Sequence, residues 1–160
     1  MHRAKYLLIF LLGGLTGCGN AVEFSEFHAL ENGRWNRDDI VEFETPELSP
    51  DQAYDLYIHI RNDESFPYSN LFLITELESP EGETTRDTLE YLMAEADGAW
   101  LGLGYGSIKE NKLWYKENIK LPVSGVYTIR IEQAMRKNGS VEGVTELQGI
   151  TDVGLEIERR

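Results

Sequence analysis

The sequence predicts an all-β fold, a single antiparallel β-sandwich or jelly-roll-like domain behind an N-terminal lipoprotein leader. Three features carry this expectation. Several stretches alternate apolar and polar residues with period two, clusters of Gly, Pro, Asn and Asp separate them, and helical periodicity is scarce. A chain of 160 residues suits one domain.

The leader comes first. His2, Arg3 and Lys5 form a basic start, and Tyr6 to Leu15 is an almost unbroken apolar run. A bilayer span needs about 20 such residues, so this run reads as a secretory signal peptide instead. Leu15-Thr16-Gly17-Cys18 follows. Small residues before the cysteine let a leader peptidase bind extended chain, and the pattern resembles the lipobox of bacterial lipoproteins. Cleavage is expected between Gly17 and Cys18. The Cys18 thiol then carries diacylglycerol, and the new amino group takes a further acyl chain of the palmitate type. Two or three chains, at roughly 0.8 kcal/mol per buried methylene, give a stable anchor. The expected organisation is a signal peptide over 1–17, a lipidated N-terminus and short tether over 18–23, and the sandwich over 24–160.

Along the mature chain, Ile40 to Glu44 reads as a short strand and Ser49 to Ala53 as the best candidate for a short helical piece. Tyr54, Leu56, Ile58 and Ile60 alternate with Asp55, Tyr57, His59 and Arg61, which predicts a half-buried strand. Leu71 to Ile74 is continuously apolar and predicts a strand covered on both faces. A turn at Ser79-Pro80-Glu81-Gly82 and a return over Thr84 to Leu92 predict a hairpin. Further strands are expected at Trp100 to Tyr105, from Leu113 onward, over Tyr127 to Glu132 and over Val153 to Glu158, with turns at Pro122 to Gly125 and Lys137 to Gly139.

Composition narrows the function. Cys18 is the sole cysteine, so the domain has no disulfide and must hold together by its core. Removing Arg3 and Lys5 with the leader takes the 15 basic residues to 13 against 28 acidic ones, a net charge of −15. That argues against nucleic acid as a partner and against docking on anionic headgroups, and leaves the lipid to do the anchoring.

The mature chain carries few chemical signatures. His28 and His59 are far apart, and His59 falls on the polar side of its strand. A metal site would need three or four ligands, so none is expected, and no cofactor is implied. No Gly-x-Ser-x-Gly elbow is present. Gly102, Gly104 and Gly106 lack the Lys-Ser/Thr and the βαβ context of a phosphate loop. On a strand they share one face with Trp100, a bare strip suited to close packing or, with Trp100, Tyr105 and Trp114, to a ligand or partner surface.

Six stretches, in order and spacing, resemble the gliding-motility lipoprotein GldH family of the Bacteroidota. They are Tyr68-Ser69-Asn70-Leu71-Phe72-Leu73, Asp87-Thr88-Leu89-Glu90-Tyr91, Gly98-Ala99-Trp100-Leu101-Gly102, Ser124-Gly125-Val126-Tyr127, Gln133-Ala134-Met135-Arg136 and Gly149-Ile150-Thr151-Asp152-Val153-Gly154-Leu155. The resemblance implies a non-enzymatic cell-envelope lipoprotein that works with other gliding lipoproteins and the type IX secretion machinery. Of its functional residues only Cys18 carries over. Gly19, rather than an aspartate, follows the cysteine and no acidic run comes after it, so the expected location is the outer membrane, facing the periplasm. Two rivals stand beside this reading: a peptidoglycan- or polysaccharide-binding module using exposed Trp100 or Trp114, and a small hydrolase with a carboxylate pair in a cleft.

Overall fold

The computed structural model describes residues 21–104 and 106–160; Gly17, Cys18 and the rest of the leader, together with Tyr105, lie outside the described residues. Ten strands are formed: β1 (Ala21–Ala29), β2 (Arg34–Asn36), β3 (Val41–Glu44), β4 (Ala53–Asn62), β5 (Asn70–Glu78), β6 (Thr84–Leu92), β7 (Lys109–Lys120), β8 (Thr128–Gln133), β9 (Glu146–Gln148) and β10 (Ile150–Arg159). One sheet has the order β1-β10-β4-β7, the other β3-β8-β5-β6, and β2 pairs with β9 in a short ribbon. All pairings are antiparallel. The all-β antiparallel expectation is met.

The core lies between the two large sheets. Leu56, Ile58 and Ile60 of β4 and Leu155 and Ile157 of β10 pack in one cluster with Leu71 and Leu73 of β5, Ile129 and Ile131 of β8 and Phe43 of β3. These are the alternate positions of each strand, as a two-layer sandwich requires. The β2–β9 ribbon adds Trp35 and Leu147, both fully buried, and the Trp35 indole donates to the Asp39 carbonyl at 2.9 Å.

The strand registers define two ends. Ala21, Arg159, Tyr54 and Ile119 lie at the end where the N-terminal segment enters. Loops 45–52 and 121–127 cross between the sheets there, joined by the Leu48–Gly125 bridge. The far end collects the longer connections: 63–69, 93–108 and 134–145.

Several expectations are corrected. β1 begins at Ala21, so the described part of the expected tether (residues 18–23) is already sheet, drawn in because the edge of β10 offers Arg159 and Glu158 as pairing partners for Ala21 and Val22. Ser49 to Ala53 is a turn leading into β4; the helical piece is instead one 3-10 turn at Glu31–Gly33. β4 is buried on both faces rather than one, whereas β5 buries Leu71 and Leu73 but leaves Phe72 and Ile74 half exposed. The strand expected over Trp100 to Tyr105 is not formed across residues 100–104. Glu95 and Ala99 close a tight turn through Glu95 N–H to Ala99 O at 2.8 Å, and beyond it only Trp100 and Leu103 make single bridges. Glycines at alternate positions give this segment too little side-chain packing to hold a ladder.

Gly149 lets β9 turn directly into β10. Its φ is +86°, its carbonyl accepts from Asp63 N–H at 2.9 Å, and an added Cβ would come within 2.2 Å of Phe66 N. Gly149→Ala is expected to lose more than about 1–2 kcal/mol, the cost of the left-handed backbone alone, read as a lowered urea midpoint at unchanged slope.

Candidate functional site

The most distinctive surface is an apolar groove at the far end. It is built by the irregular segment that replaces the expected strand. Met93 and Ala94 N–H groups donate to the Ser69 carbonyl, Leu101 N–H donates to Met93 O at 3.0 Å, and Leu103 exchanges both backbone bonds with Glu110 at 2.8 Å. The chain is thereby held along the start of β7 with its leucines outward. Leu103 is 82% exposed and Leu92 68%; Leu101 and Ile108 are also exposed. The groove between them encloses about 650 Å³, with Leu92, Leu101, Leu103 and Leu113 supplying its apolar walls and His59, Glu110 and Lys112 its polar rim. Exposed apolar patches of this kind mark interaction sites on soluble domains. Gly102 fits beneath it because an added Cβ would meet the Asn111 amide at 2.8 Å. The close-packing reading of that glycine holds, although not on a strand.

Next to the groove, the outward face of the β1-β10-β4-β7 sheet is a continuous polar and aromatic ladder. His59, which its place on the polar side of the strand predicts to be exposed, is only 4% exposed. Its Nδ1 lies 3.3 Å from Glu110, and its Nε2 sits 3.0 Å from Glu156 Oε2, a close approach off the hydrogen-bonding line. Phe27 covers the ring edge-on at 5.3 Å, and the Arg61 guanidinium lies 4.2 Å above Phe27. Arg61 also donates to Glu110 at 2.7 Å. Burial by itself would raise the Glu110 pKa, but the hydrogen bond and charge of Arg61, with His59, outweigh it and hold the carboxyl below its usual range. Lys112 shows the converse balance: burial lowers it, yet Glu156 and Glu158 bring it above its ordinary value. His28, by contrast, is half-buried against Phe43, with ring centroids 4.8 Å apart, and is bonded to Glu26.

The aromatic candidates separate. Trp114 is 50% exposed and rests on Tyr57 with ring centroids 4.4 Å apart, while the Lys112 ammonium lies 4.0 Å from the Tyr57 ring. Trp100 is half-buried and packs against Phe66 at 6.1 Å, on the far-end core rather than beside Trp114. Tyr105 is outside the described residues. Trp100 and Trp114 therefore do not form one surface.

Two tyrosines close the seam between β6 and β7. Tyr91 donates to the Trp114 carbonyl at 2.6 Å, and Tyr115 approaches Asp87, which also binds Lys116 at 2.8 Å. Burial pushes Tyr115 up to about 12 and Tyr91 higher still, so both remain neutral phenols and hydrogen-bond donors. Among the described residues no group of three or more His, Cys, Asp or Glu side chains is placed to hold a metal ion.

The groove leucines were not singled out by the sequence. Their signal is the apolar run 100–103, whose composition predicts a strand; irregular backbone is what turns those side chains outward.

Fold and surface together define a single-domain antiparallel sandwich that presents an apolar groove at one end. The GldH lipoprotein family profile matches residues 22–157. A protein of Christiangramia forsetii, described as a gliding motility lipoprotein GldH homolog, is 47% identical over 154 residues, covering 96% of this chain and 94% of its own. The gliding motility lipoprotein GldH of Flavobacterium johnsoniae is 42% identical over 160 residues, with 99% of each covered. The chain belongs to the GldH lipoprotein family. Among solved structures, the VP2 subviral particle of infectious bursal disease virus is similar over 86% of this chain and 30% of its own, at 13% identity and a TM-score of 0.36, too loose a likeness to carry further argument.

The lowered Glu110 pKa has a definite sign. Its stabilising contribution is present above the unfolded carboxylate value of about 4.5 and is lost as pH falls through the lower folded value. Glu110 is partly exposed, so Glu110→Gln is expected to cost under about 1 kcal/mol at pH 7. The wild-type advantage should vanish on acidification below pH 4.5, measured by denaturant midpoints across the pH range.

Proposed function

We propose that this chain is a lipid-anchored, non-enzymatic accessory component of the gliding apparatus and its associated type IX secretion machinery, held through Cys18 and acting by binding other envelope proteins. The observation that carries the reading is the groove of Leu92, Leu101, Leu103 and Leu113. It lies at the end of the sandwich opposite Ala21, where the lipidated N-terminus joins β1. An apolar patch beside the anchor would suit lipid; one a full strand length away suits protein. The names of the two relatives support the gliding role. Gly19 after the cysteine supports the outer membrane, with the domain in the periplasm.

Binding rather than catalysis is favoured by the state of the acidic side chains. Glu110 is held in an ion pair with Arg61, and Glu156 and Glu158 with Lys112. Glu110 is tuned away from the raised pKa that a general acid needs. One observation favours glycan binding as the second reading: Trp114 stands exposed beside Lys112 and Tyr57.

The deciding measurement is affinity recovery of the lipoprotein from cross-linked, detergent-solubilised membranes, beside Cys18→Ala, Leu103→Asp and Trp114→Ala forms. The accessory role predicts gliding or secretion proteins with the wild type, recovery lost with Leu103→Asp and Cys18→Ala, and near-normal recovery with Trp114→Ala. Cell-wall fragments lost only with Trp114→Ala would replace it with the glycan reading.

A further inference from the structure

We infer that β6 is a self-pairing edge: two copies of the chain join β6 to β6 across a two-fold axis at Thr88, making one continuous eight-stranded sheet. The pairing stands whatever the groove binds.

The two large sheets have four outer edges: β1, β7, β3 and β6. Natural sheets blunt such edges with bulges, short strands, covering segments, Pro or Lys. β1 carries a bulge between Val22 and Phe24, and β3 is only four residues long. The edge of β7 is occupied by Leu103 at Glu110 and by the Tyr91 hydroxyl at the Trp114 carbonyl. β6 has no bulge and no Pro or Lys, and its inward charge, Asp87, is neutralised within the chain by Lys116. It runs nine residues in unbroken register with β5 and contains no Gly. Among the described residues, no backbone bond engages its open side.

The bond pattern shows which groups face outward. Ala134 N–H donates to Phe72 O, so even-numbered residues of β5 turn toward β8 and odd-numbered ones toward β6. Leu71, Leu73 and Thr75 therefore exchange bonds with Tyr91, Leu89 and Asp87. The amides and carbonyls of Thr84, Arg86, Thr88, Glu90 and Leu92 are left facing the open edge, and all five residues are exposed.

Placing the two-fold at Thr88 brings all five into hydrogen-bonded pairs with the second copy. Thr88 meets Thr88, Thr84 meets Leu92, and Arg86 meets Glu90 twice. Opposite charges directly across an antiparallel pair are favourable. Sliding the second copy by two residues sets Arg86 against Thr88 or Leu92 and loses both charge pairs. The sequence of the edge is thus complementary to itself in one register, the requirement for a closed isologous dimer. Antiparallel pairing also turns the second copy end for end.

Cross-linking in intact envelopes tests the register, using the full-length lipoprotein, whose sole native cysteine is Cys18. Directly opposite residues of a hydrogen-bonded pair have Cα atoms about 5.5 Å apart, inside the disulfide range of about 4.4–6.8 Å. Thr88→Cys is expected to give a disulfide-linked band of twice the monomer mass on oxidation, with none from the parent. Arg86→Cys and Glu90→Cys should cross-link only when the two are co-expressed. Glu90→Arg added to Thr88→Cys should reduce the dimer to background, and adding Arg86→Glu as well should restore it. Failure of Thr88→Cys to dimerise, equal cross-linking of all three single variants, or adducts only with a different protein would each overturn the proposal.

Discussion

Burying Asp55, Tyr57 and His59 on the outward face of β4 imposes a desolvation cost that neighbouring strands must offset, and much of the architecture answers to it. β4 is an inner strand of its sheet, so side chains from strands on both sides close over its outward face. Asp55 accepts from the Asn118 amide at 2.7 Å and holds the Arg160 guanidinium at 3.1 Å. Asn118 takes a left-handed backbone at φ 50°, beside the irregular register of β7. Arg160 N–H in turn donates to Ala53 O at 3.0 Å, tying the C-terminus to the start of β4. Farther along, His59 receives Glu110 and Glu156, and Tyr57 is covered by Trp114 and Lys112. One strand's polar positions thereby set the outward residues of β7 and β10 and the cover from β1.

The second sheet solves a milder problem. Its outward face carries Arg130 with Glu42, Glu76 and Glu78, and Arg86 with Glu76 and Glu132. These pairs are largely exposed and contribute little each, but they place acids and bases alternately across four strands and so fix register without burying charge. With no disulfide available, stability falls on the shared apolar core and on the seam where Asp87, Lys116, Tyr91 and Tyr115 join β6 to β7.

Strands with a clear period of two are legible: β4 and β8 begin within a residue of Tyr54 and Tyr127, β10 begins three residues before Val153, and the β5–β6 hairpin turns around Pro80. β1, β2 and β9 carry too few alternating residues to stand out, and they exist because β10 and each other provide pairing edges. The burial of His59 was not readable, because its cover comes from Phe27 on β1 and Glu156 on β10, remote in sequence. Trp35, a central core residue, gave no local sign either. The groove was missed for a different reason: Trp100 to Leu103 has strand composition, and only the turn closed by Glu95 and Ala99 reveals that it is a loop.

Strand propensity without strand geometry bears on function, because it leaves Leu101 and Leu103 exposed. Had the segment paired along its length, alternate side chains would have entered the core, and the far end would have closed like the anchor end. Instead, Gly102 lets the chain settle on Asn111, whose amide is itself fixed by Ile60 O at 3.1 Å and Asn62 at 2.9 Å. The loop is thus seated on a buried polar pair at the tip of β4. A groove fixed in this way keeps its shape without a partner, so binding there need not order a flexible loop first. The strand whose polar face organises the sheet also supports, at its last residues, the apolar groove at the far end.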